Sequence, residues 1–118
     1  MRYYFQLLLV CLLMIAPKTN FAGNPNLVTA HYKVNGVCEK CQKRIEDATY
    51  LPGIKYASWN ADTHDLLVRY DSTKTSPEVF LKSIADAGYD NEKYTAPNKA
   101  YGLLPECCHY RTKHKMKQ

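Results

Sequence analysis

Apolar and polar positions alternate from about Leu27 to Val34, with Val28, Ala30, Tyr32 and Val34 on one side and Thr29, His31 and Lys33 on the other. A period of two marks a half-buried strand, and Asn35-Gly36 supplies the turn that ends it. Beyond the turn, Cys41, Ile45 and Ala48 share one helical face. They predict a helix over about Glu39 to Tyr50, stopped by Pro52-Gly53. Ile54 to Asn60 reads as a second strand whose inward residues, Ile54, Ala57 and Trp59, are unevenly spaced, so a bulge is expected. Asp62-Thr63-His64 is the hairpin connection to a third strand, in which Leu66, Val68 and Tyr70 alternate with Leu67 and Arg69. Ser76 is a good N-cap with Pro77 at the first helical position. The helix that follows carries Phe80, Ile84 and Ala87 on one face and ends at Gly88. Tyr89 to Thr95 reads as a fourth strand.

This β-α-β-β-α-β order predicts an α+β, ferredoxin-like sandwich: a four-stranded antiparallel sheet with two helices on one face. The loop after the first strand and the loop before the fourth then share one end of the sheet, which brings Tyr89 near Cys38 and Cys41. Residues 27–95 form this domain, and residues 96–118 are a C-terminal extension holding Tyr101, Leu103-Leu104-Pro105 and Cys107-Cys108-His109. Tyr101, Leu103 and Leu104 are too apolar for a free tail and predict that it docks on the domain.

Residues 1–22 read as a signal peptide, with Arg2 as the n-region, Leu7 to Ala16 as the apolar stretch and Asn20-Phe21-Ala22 before Gly23. The apolar run is short for a membrane span, which takes ~20 residues. Cleavage gives a periplasmic or secreted chain of about 96 residues, one small domain. Arg2 and Lys18 leave with the segment, so 14 of the 16 basic residues remain against 11 acidic ones. That balance is too mild for nucleic acid, and no basic run is interleaved with aromatics. No nucleophile–base pair or carboxylate pair is visible, which argues against an enzyme.

Cys11 leaves with the leader, and four cysteines remain: Cys38, Cys41, Cys107 and Cys108. Cys38 and Cys41, three apart at a helix N-terminus, point the same way. Unpaired backbone N–H groups and the helix dipole favour thiolate there, and Lys40, Lys43 and Arg44 push in the same direction. Two thiolates without hard ligands suit a soft ion of low coordination number, Cu(I) first and Hg(II) next. Zn(II) wants four ligands, and Cys107 and Cys108 make up that number if the tail folds back. A structural disulfide and thiol–disulfide exchange between the two pairs are the alternatives. The element order after the first helix is wrong for a thioredoxin-like fold, and Gln42 stands where haem attachment needs a histidine. A Cys107–Cys108 bridge would be a strained ring between neighbours. His64, in the hairpin turn, reads as exposed, His31 as outward-facing and Trp59 as core.

Residues 29–95 resemble the heavy-metal-associated domain of copper chaperones, metal-pumping ATPases and periplasmic mercuric-ion-binding proteins. The resemblance rests on Gly36-Val37-Cys38-Glu39-Lys40-Cys41, Pro52-Gly53-Ile54 and Ala87-Gly88-Tyr89. It implies one soft ion held by Cys38 and Cys41 and handed by thiolate exchange to a metal-transporting ATPase or other metal-handling protein. A homodimer bridged by the ion belongs to the same expectation. Tyr89 would shield the site from water, with Gly36 and Lys40 around it. The family commonly has a methionine two residues before the first cysteine, packed under the loop. Gly36 stands there instead, which implies a looser loop and leaves the metal preference open.

Overall fold

The computed structural model describes residues 3–4 and 23–115, with side chains through Thr112. The proposed leader, apart from Tyr3 and Tyr4, lies outside the described residues, as does Cys11. No helix among the described residues is long and apolar enough to cross a membrane.

Strand β1 (Leu27–Lys33) pairs antiparallel with β3 (Asp65–Asp71), which pairs antiparallel with β2 (Ile54–Trp59), in the order β1-β3-β2. Helix α1 (Glu39–Thr49) follows β1, and α2 (Pro77–Asp86) follows β3. The expected bulge is present: the β2–β3 register shifts between Ile54 and Tyr56. That slip puts Ala57 and Trp59 inward with Leu66, Val68 and Tyr70. The same face of β1, ending in Val34, meets Cys41 and Ile45 of α1 and Phe80, Leu81 and Ile84 of α2 in one core. This is the ferredoxin-like two-layer arrangement. Ser76 holds the N-cap position of α2 in extended backbone, but its side chain makes no capping hydrogen bond.

The expected fourth strand is present only as a bridge beside β1. Among the described residues the sheet has three strands, and residues 89–95 contribute a single bridge, Val34 to Asn91, beside the end of β1. Asn35 N–H donates to the Asp90 carbonyl at 2.9 Å and Glu92 N–H to the Lys33 carbonyl at 3.1 Å, and there the pairing stops. Asn91 turns the chain: its side-chain oxygen accepts from Lys93 N–H and Tyr94 N–H, and its own N–H donates to the Tyr94 carbonyl. Asparagine offers the backbone these local partners in place of a ladder.

The extension folds back, as its apolar residues predict, through helix α3 (Asn98–Gly102), a 3₁₀ turn (Glu106–Cys108) and helix α4 (Tyr110–Lys115). Leu104, Cys108 and Tyr110 join the core, whereas Leu103 is 77% exposed, so the expectation for that residue fails. The Tyr110 hydroxyl accepts from Asp90 N–H and donates to the Gly88 carbonyl, both at 2.8 Å. Arg111 forks onto Asp90 at 2.7 and 3.0 Å, reaches the Ala96 carbonyl and Asn98, and lies over the Tyr101 ring. Gly88 sits at φ 109°, and a Cβ there would meet Leu104 at 2.9 Å, so the residue that ends α2 also makes room for the tail.

Candidate metal centre

Cys38 occupies the N-cap of α1 in extended backbone (φ −139°, ψ −179°), with its carbonyl accepting from Gln42 N–H. Its side chain is therefore free to turn towards the first helical N–H groups. Partial burial opposes ionisation of Cys38, but the backbone N–H groups of Cys41 and Lys40 outweigh it. The side chains of Cys41 and Cys107 add to them, and the pKa comes down to about 7. Cys41, one turn on, is fully buried.

The two sulfurs of the motif are 3.8 Å apart, and the docked tail adds a third: Cys108 Sγ lies 2.7 Å from Cys41 Sγ. Cys38, Cys41 and Cys108 together form a cluster whose sulfurs all lie within 4.8 Å of one another. Cys38, Cys41 and Cys108 carry free thiols. Cys107 is half-buried beside the cluster. Its sulfur is 4.0 Å from that of Cys108, and its carbonyl lies 3.9 Å from Cys38 Sγ. Cys108 is the opposite of Cys38 electrically: burial and the Cys41 thiol push it up to about 12. His109 turns away, with Nε2 3.0 Å from the Leu104 carbonyl and its ring against Tyr101.

Tyr89 is fully buried, its ring stacked 6.1 Å from that of Tyr110. Its hydroxyl has no hydrogen-bond partner of ordinary geometry. Burial first, then the sulfurs of Cys108 and Cys41, hold it well above the usual phenol range, so it faces the cluster as a neutral group. Lys40, Lys43 and Arg44 line a shallow cleft on the outer face of α1 with Asp47 and, from the tail, Pro105. Of these, Lys40 acts on the Cys38 thiol through its backbone N–H.

Gly36 has a role that its sequence position does not reveal. A Cβ on it would stand 2.8 Å from two atoms of the Trp59 indole and 3.2 Å from Cys41 Cβ. The space a larger residue would need under the loop is filled by Trp59, whose Nε1–H donates to the Val34 carbonyl at 2.9 Å. Trp59 is thus core, as read, and also the floor of the cysteine loop. His64 differs from the expectation of simple exposure: it is half-buried at φ 59° and stacks on Trp59, centroids 5.9 Å apart. His31 is outward, 2.5 Å from Asp65 on β3.

A model of the heavy-metal-associated domain matches residues 31–90, just over half of the chain. The chain belongs to the heavy-metal-associated domain family. It is 34% identical over 65 residues to a copper-exporting P-type ATPase of Staphylococcus epidermidis, covering 53% of this chain but only 8% of that protein's length. Among solved structures, the CopZ metallochaperone superposes with a TM-score of 0.52 at 27% identity, over 54% of this chain and 98% of CopZ. Oxidised MerP from Ralstonia metallidurans CH34 superposes at 0.53 with 28% identity, over 56% of this chain and 94% of MerP. The family match ends at Asp90. Residues 96–115, with Cys108, lie beyond it.

A pH profile follows from Cys38. Its folded pKa lies below that of a free thiol, so the thiolate and the stability it adds are fully present above the ordinary thiol range. Both are lost as pH falls through about 7. Alkylation of the metal-free protein by iodoacetamide, mapped by mass spectrometry, should start at Cys38 with a half-maximal rate near that pH, while Cys108 stays unmodified in the folded state.

Proposed function

We propose that this chain is a carrier or scavenger of a soft metal ion, held by the Cys38 and Cys41 thiolates and passed on by thiolate exchange. The observation that carries the reading is Cys38 at the N-cap of α1, an acidified, partly exposed sulfur 3.8 Å from a buried one. The exposed sulfur can meet an incoming ligand exchange first, and the buried one keeps hold. Cu(I) is the favoured cargo, with Hg(II) second. A metal-transporting ATPase or another metal-handling protein is the acceptor, approached along the basic face of α1. The leader reading makes it an exported protein of the periplasm or exterior, with residues 27–95 as the metal module. No chemistry on an organic substrate is involved.

Trp59 is the one tryptophan of the chain and underlies the loop, so its fluorescence reports the site. Replacing Cys38 and Cys41 together with Ser should abolish stoichiometric Cu(I) and Hg(II) binding in a competition titration and leave the far-UV spectrum native. Undiminished binding by the double variant would sink the carrier reading. Thiol–disulfide exchange is a second reading, favoured by the close approach of Cys41 and Cys108. Anaerobic purification followed by thiol counting and elemental analysis separates the two. Metal with reduced thiols supports the carrier, and metal-free disulfide supports exchange.

A further inference from the structure

The tail places a third sulfur on a site for which the metal module supplies two. We propose that Cys108 completes a three-thiolate site for a trivalent thiophilic metalloid of the arsenite class. The proposal rests on the metal-binding reading of Cys38 and Cys41, and goes beyond it in the third ligand and in the cargo.

Geometry is the first ground. The three sulfurs form a compact triangle, with contacts of 3.8 and 2.7 Å and no pair beyond 4.8 Å. A trivalent arsenic centre makes three bonds on one side, to three such sulfurs, whereas an ion of linear preference uses two. Among the described residues no carboxylate or imidazole belongs to the cluster, and three sulfurs favour a soft centre over a hard ion.

Charge is the second ground. Cys41 and Cys108 are fully buried, and so is Tyr89, whose hydroxyl has no hydrogen-bond partner of ordinary geometry among the described residues. Three thiolates around a trivalent centre make a neutral complex. The same three sulfurs would leave one negative charge around Hg(II) and two around Cu(I), which is costly where water is excluded. Cu(I) is therefore expected on Cys38 and Cys41 alone, with Cys108 remaining a thiol.

Pre-organisation is the third. Cys108 is held between Leu104 and Tyr110, both buried, and Arg111 and Tyr110 tie the tail to Asp90 and Gly88. Little chain has to be ordered when the third bond forms. The step is a condensation without electron transfer. Arsenite as As(OH)₃ meets three S–H groups, three As–O and three S–H bonds break, and three As–S bonds and three waters form.

The test uses the full chain with arsenite as the only ligand. X-ray absorption at the arsenic edge should show three sulfurs and no oxygen, with three thiols consumed per arsenic. Cys108→Ala should weaken arsenite binding at least about 100-fold, the loss expected when one tethered ligand is removed, while its far-UV circular dichroism stays native, which shows that the variant folds. Cys107→Ala should leave arsenite binding as it was. Two sulfurs and one oxygen on arsenic in the wild type would overturn the proposal. So would arsenite retention by Cys108→Ala, or arsenite loss in Cys107→Ala. Failure of the carrier reading is separate: it shows as Cu(I) retained by the Cys38 and Cys41 double variant.

Discussion

Trp59→Ala is expected to remove about 3–5 kcal/mol of folding stability, the range for truncating a buried large aromatic. A small domain has roughly 5–15 kcal/mol in total, so the variant should sit near its unfolding midpoint at moderate temperature. At about 4–8 °C per kcal/mol, the thermal midpoint falls by more than ten degrees. The effect is large because one side chain does three things. The indole is 1% exposed and fills the core, its N–H satisfies the buried Val34 carbonyl, and its edge occupies the space beneath Gly36. Trp59→Phe separates these roles. It keeps most of the apolar volume but strands the Val34 carbonyl, at about 1–3 kcal/mol. Urea unfolding followed by far-UV circular dichroism measures both variants. A loss under about 1 kcal/mol for the alanine variant would mean that the loop and core close up without the indole.

The distribution of what the sequence discloses follows the range of the interactions involved. Period-two and period-3.6 patterns act within one element, so β1, β3, both principal helices and even the bulge near Tyr56 were readable from residue order alone. The cysteine pair was readable for the same reason, since three residues of a helix start fix its geometry. Residues 89–95 pair with β1 at one bridge only: Tyr89 and Tyr94 have strand preference, while Asp90-Asn91 between them make a turn by side-chain hydrogen bonds. The seating of Trp59 under Gly36 leaves no trace in sequence, because it joins residues 23 positions apart whose individual preferences say nothing of each other. The extension was legible only as apolar. Its helices are short, so they show too little periodicity to say that Leu104 turns in and Leu103 out.

What holds the extension in place also decides whether Cys108 can reach the metal module, and Tyr110 is the residue to remove. Tyr110→Ala should cost about 3–5 kcal/mol, by loss of a side chain that is 2% exposed. The Asp90 N–H and Gly88 carbonyl are left behind without their partner. The loss should be local. The paired strands and two helices of residues 27–86 keep their own contacts, so hydrogen exchange should rise first at the amides of Leu104, Cys108 and Arg111. Acid gives an independent route to the same state. Burial raises the Asp90 pKa, but the Arg111 guanidinium and the Ala96 N–H outweigh it and hold the carboxyl below its usual range. The Asp90–Arg111 contribution is therefore full above about pH 4 and is lost as pH falls through the depressed value. Asp90→Asn should show the exchange pattern of acidified wild type at neutral pH. Uniform exchange across β1, β3 and the tail in Tyr110→Ala would instead show that extension and domain unfold as one unit.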